Sequence, residues 1–90
     1  MKQQSLLDRF QIGQMAWSKQ GRDKNHLYVI IARDDRFLYA ADGIKWTVAR
    51  PKKKNPVHMQ LIGVQASDQQ PMEDADIIQA IRAFENRKGN

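Results

Sequence analysis

The feature that most constrains how this chain folds is a period of two in its apolar residues, repeated in short runs that turn residues cut apart. Met15 and Trp17 alternate with small or polar neighbours, and Leu27, Val29 and Ile31 resume the alternation after a break. Successive side chains of a strand point to opposite faces, so this spacing gives each strand one apolar row. The intervening residues 19–26 include no large apolar side chain and read as a tight polar turn. That turn carries Lys19, Arg22 and Lys24. A cationic turn held by a rigid sheet displays donors at fixed spacing and leaves the core elsewhere.

The same grammar runs on through the chain. Residues 13–18 and 26–33 form the first two expected strands, the second strongly β-prone through Tyr28, Val29, Ile30 and Ile31. Asp34-Asp35 is a short connection to a third strand over 36–41, and Asp42-Gly43 is a hairpin signal because glycine accepts positive φ. Ile44, Trp46 and Val48 alternate with Lys45, Thr47 and Ala49 in an expected fourth strand. Prolines 51 and 56 bracket a lysine triplet, so the segment from Arg50 through Lys52, Lys53 and Lys54 to Asn55 reads as a loop. Val57, Met59 and Leu61 then alternate in a fifth strand. Parity with Met15, and with Ile44 and Val48, directs Trp17 and Trp46 inward. Tyr28 and Tyr39 stay open between core packing and base stacking.

One segment changes period. Ile77, Ile78, Ile81 and Phe84 form a stripe at helical spacing over 73–86, with Glu73, Asp74 and Asp76 in the first turn, where the helix dipole favours acids. The expected organisation is an N-terminal extension (1–12), a β domain (13–65), a polar linker (66–72) and a helix (73–86) packed on the domain through Ile77, Ile81 and Phe84. In the extension, Leu6, Leu7 and Phe10 have the spacing of a single helical turn. The fold is mostly β. Five short strands in this length bury a face best as a small, strongly bent barrel, because closure removes exposed edges.

Charge is unevenly spread. The net charge is +5, but residues 1–57 hold twelve Lys or Arg against five Asp, and residues 58–90 hold three against five acids. The positive charge belongs to the sheet, which points to a polyanionic partner. The chain has no cysteine and no apolar run near the roughly 20 residues that span a bilayer, so a cytoplasmic location and no membrane partner are expected. Enzymatic patterns are missing too. His26 and His58 are far apart with no cysteine or recurring carboxylate spacing, and there is no phosphate-cradling glycine loop. No catalysis, cofactor or metal is expected. Two cationic segments, by contrast, suit nucleic acid, since each phosphate neutralised releases counterions. The alternative is a protein-interaction module of the transcription or translation machinery, with the acidic first turn of the C-terminal helix as its surface.

Three blocks sharpen this. Gly13-Gln14, then the run from Ser18 to Lys24, then Leu27-Tyr28-Val29-Ile30, resemble the KOW motif of ribosomal and transcription-elongation proteins. Ala41-Asp42-Gly43 and the run from Arg50 to Asn55, followed by His58, resemble a narrower group: small bacterial KOW-domain RNA-binding proteins similar to a eukaryotic-type protein of the large ribosomal subunit. The resemblance spans about residues 13–60. It implies an SH3-like β-barrel and contact with structured RNA, commonly ribosomal RNA. Carried over by position, it implies RNA contact at Lys19, Arg22, Lys24, Asn25, Arg50, Lys52, Lys53 and Lys54. Two positions depart from the pattern. Asn25 stands where the motif has glycine, and the strand after Gly43 carries fewer cations than the family does. Asparagine tolerates the left-handed conformation that such a turn needs.

Overall fold

A computed structural model describes residues 6–66 and 71–88. Five strands, β1 (Gln14–Ser18), β2 (Leu27–Arg33), β3 (Leu38–Ala41), β4 (Lys52–Lys54) and β5 (Met59–Gln65), precede one helix, α1 (Asp74–Lys88). The strands form one antiparallel sheet in the order β4-β3-β2-β1-β5. The fold is thus mostly β, as the alternation predicts.

The sheet is strongly curled. Its two edge strands follow each other in sequence, joined only by Asn55 and a 3-10 turn at Pro56–His58. The five residue steps from Lys54 to Met59 reach at most about 17 Å, whereas the edges of a flat five-stranded sheet lie about 19 Å apart. The side chains confirm the curl: Lys54 Nζ on one edge lies 3.2 Å from Ser18 Oγ on β1, beside the other edge. Among the described residues no ladder joins β4 to β5, so the sheet curls without closing its hydrogen bonding.

Both faces of the sheet are covered. Ala16, Tyr28, Ile30, Leu38, Ala40 and Met59 fill the concave side together with Phe10, which follows a 3-10 turn at Leu7–Arg9. The convex side carries Met15, Leu27, Val29 and Ala41, and α1 lies on it through Ile77, with Ile81 and Phe84 partly buried. A sheet covered on both faces exposes little of its apolar surface.

Several expectations need correction. Residues 44–48 are not a strand: the carboxylate of Asp42 accepts hydrogen bonds from the Ile44 and Trp46 N–H groups, and the Asp74 carboxylate takes that of Val48. Backbone donors committed to side chains cannot join a ladder. Asp42-Gly43 therefore opens an irregular loop, not a hairpin, and Ile44 is left 72% exposed. The fourth strand is the lysine triplet itself, which pairs with β3 in the register Leu38–Lys54, Tyr39–Lys53 and Ala40–Lys52. Val57 lies in the 3-10 turn, capped by Asn55, whose side chain accepts from its N–H. Met72, placed in the linker, is a buried core residue. Residues 67–70 of that linker lie outside the described residues, as do 1–5 of the extension and 89–90.

Candidate nucleic-acid interface

The 19–25 turn is shaped by two left-handed residues, Gly21 (φ 94°) and Asn25 (φ 73°). Asn25 thus adopts the left-handed conformation that a tight turn needs, and its N–H donates to the Ser18 carbonyl at 2.8 Å. Beneath the turn lies a polar cluster centred on Asp23. Its carboxylate accepts from Tyr28 Oη (2.6 Å), Ser18 Oγ (2.9 Å) and Lys54 Nζ (3.1 Å). Ser18 and Lys54 are buried, Lys54 with only 8% of its surface exposed, and Tyr28 is fully buried. Burial works against the charge on Asp23, but the hydrogen bonds from Tyr28, Lys54 and Ser18 overcome it and hold its carboxyl well below the usual range. Burial and the Asp23 carboxylate push the Tyr28 hydroxyl up, so it stays a donor.

This cluster joins the two cationic segments that the sequence separates by some thirty residues. Lys54 spans to Asp23, and the Lys19 N–H donates to the His58 carbonyl at 2.7 Å. The outward residues of the turn are Lys19, Arg22, Lys24 and Asn25, all exposed. Asp23 is the one acid among them, and it is spent internally on Lys54. The exposed charge of the turn is therefore uncompensated by its own acid.

The lysine triplet divides by the pleat. Lys54, expected to contact phosphate, points inward and is a structural ion-pair partner. Lys52 shares its face and lies with Nζ 4.7 Å from the Trp46 ring centroid. Lys53 points the other way, exposed, with Nζ 4.2 Å from the Phe37 ring centroid. Arg50 is exposed beyond the strand, and its N–H donates to Thr47. Strand alternation would have shown this division had the triplet been read as a strand; its composition argued for a loop.

The open questions about aromatics resolve unequally. Tyr28 serves the polar cluster. Tyr39 is partly exposed and donates to Asp34 Oδ2 at 2.6 Å. That bond, with those from the Arg36 and Phe37 N–H groups, brings the Asp34 carboxyl down to about 2, so Asp34 is the turn former its position suggested. Trp46, expected inside, is only partly buried. His26 is engaged with the carboxylate of Asp42 at 2.8 Å and meets the Tyr28 ring edge-on at 4.7 Å between centroids. Burial opposes charge on Asp42, but the N–H groups of Trp46 and Ile44, then His26, keep its carboxyl below the usual range.

Among the described residues no group of three or more His, Asp or Glu is arranged to hold a metal ion, and no helix is long and apolar enough to cross a membrane. No protein-family model matches the chain, and no curated protein matches it in sequence.

Proposed function

We propose that the protein binds structured RNA without catalysing a reaction on it, through phosphates gripped by Lys19, Arg22 and Lys24 of the turn and by Lys53 and Arg50 beside β4. The observation that carries this reading is the internal neutralisation of Asp23 by Lys54. It stiffens the turn and removes the turn's own counter-charge, so three cations face outward at fixed spacing. Such a surface positions a backbone and reads shape more than base edges. Ribosomal RNA, or the large ribosomal subunit, in the cytoplasm is the partner that the KOW-like blocks favour. The rival reading, a basic protein partner on the first turn of α1, loses part of its surface, because the Asp74 carboxylate is already engaged by the Val48 N–H.

The test is binding to ribosomal RNA fragments over a salt series. Replacing Lys19, Arg22 and Lys24 by alanine should lower affinity and reduce the slope of log K against log salt by about 3. Unchanged affinity and slope would overturn the reading.

A further inference from the structure

We propose that Trp46 is a stacking platform for a single unpaired RNA base, with Lys45 and Lys52 taking the phosphates that flank it. This rests on the RNA-binding reading above and gives that reading a second, chemically distinct contact.

The backbone around Trp46 is unusually well fixed for a loop. The Trp46 N–H donates to Asp42 Oδ1 at 2.9 Å, and the Trp46 carbonyl accepts from the Asp42 and Gly43 N–H groups at 2.8 and 3.0 Å. Gly43, at φ 84°, lies so close to α1 that a Cβ there would sit 2.7 Å from both the Asp74 carbonyl oxygen and Ile78 Cγ1. The loop is thus clamped between its own carboxylate and the helix. An aromatic side chain on such a support binds with little ordering cost, which favours recognition over mobility.

The ring itself has two kinds of neighbour. Part of it packs against the concave core, and Lys45 and Lys52 hold their Nζ atoms 5.7 and 4.7 Å from its centroid. The ring is only partly buried, so core and cations share it. An ammonium over an aromatic face is held by the ring quadrupole, and an incoming phosphate oxygen attracts it more strongly because it carries a full charge. Both lysines can therefore turn to the backbone of a bound strand and leave the ring to a base. Stacked base and paired phosphates on adjacent side chains are what single nucleotides require of a protein surface.

The test compares two RNAs, a blunt duplex and the same duplex with one bulged adenosine. The protein has two tryptophans, so incorporation of 5-fluorotryptophan gives two fluorine resonances, assigned with Trp46→Phe. The bulged RNA should bind about tenfold more tightly than the duplex and shift the Trp46 resonance, leaving that of Trp17 in place. Trp46→Leu should abolish the preference with duplex affinity unchanged, and Trp46→Phe should keep most of it, which separates stacking from a folding defect. Equal affinity of the unmutated protein for the two RNAs, or an unshifted Trp46 resonance, would overturn the platform but leave the RNA reading standing. Salt-insensitive, negligible binding of both RNAs would overturn both.

Discussion

The 19–25 turn and the strand Lys52–Lys54 each carry three cations, yet the backbone uses them in opposite ways. In the turn, Lys19, Arg22 and Lys24 all face outward, and the partly buried position belongs to an acid, Asp23. In the strand the pleat sorts identical residues: Lys53 outward, Lys52 beside Trp46, and Lys54 into the core. The acid of one segment and the third lysine of the other then meet at 3.1 Å. A cationic segment is therefore not a fixed quantity of available charge. Backbone geometry decides which charges bind a partner and which bind the protein to itself.

Lys54→Met offers the harshest way to break this contrast. It leaves Asp23 without its cation and should cost about 3 kcal/mol in urea unfolding, whereas Lys53→Met should change stability by less than about 0.5 kcal/mol. Equal effects at the two positions would mean that the pleat does not sort them.

Tyr28→Phe deletes one donor to Asp23 and should cost about 2 kcal/mol, again measured by urea unfolding. The same cluster shapes the pH profile. The folded-state pKa of Asp23 is depressed, so its stabilisation is complete above the unfolded carboxyl range near ~4 and is lost as pH falls toward the folded value. Tyr28 is raised, so its share is complete below about 10 and is lost as pH rises. Tyr28→Phe should therefore flatten the alkaline limb of a stability profile, and Asp23→Asn the acid limb; limbs that keep their slopes would exclude the cluster as their source.

On the binding side, Lys53→Ala should reduce the salt slope by about 1 with stability unchanged, and isothermal titration across salt concentrations would read it. No change there would confine the RNA surface to the turn. The smallest effect is expected at Asn25. Asn25→Gly relieves a left-handed non-glycine residue and should raise stability by less than about 1 kcal/mol. Tighter RNA binding in that variant would show that the RNA backbone approaches the turn at this point; a change in stability alone would leave asparagine a turn former.

Much of the architecture was legible because it depends on neighbours. The alternation at Met15 and Trp17 and at Leu27, Val29 and Ile31 marks β1 and β2, the positive φ of Asn25 follows from its place in a tight turn, and the stripe of Ile77, Ile81 and Phe84 marks α1. The errors fall where side chains, near or far in sequence, take over the backbone. Ile44, Trp46 and Val48 alternate as a strand should, but the carboxylates of Asp42 and Asp74 capture their N–H groups. The triplet from Lys52 to Lys54 has poor strand composition, yet β3 offers it a free edge, where lysine is well suited because it discourages further pairing.

In the candidate site, the two cationic segments and the left-handed turn between β1 and β2 follow from adjacent residues, because charge and local conformational preference are set by near neighbours. Which cations remain available depends on contacts between residues far apart in the chain. The curl of the sheet brings β4 back against the 19–25 turn, so Lys54 is drawn to Asp23 and Lys52 to Trp46, while Lys19, Arg22, Lys24 and Lys53 are left to solvent. A buried charge is tolerated where an opposite charge meets it, and that meeting is set by how the sheet curls.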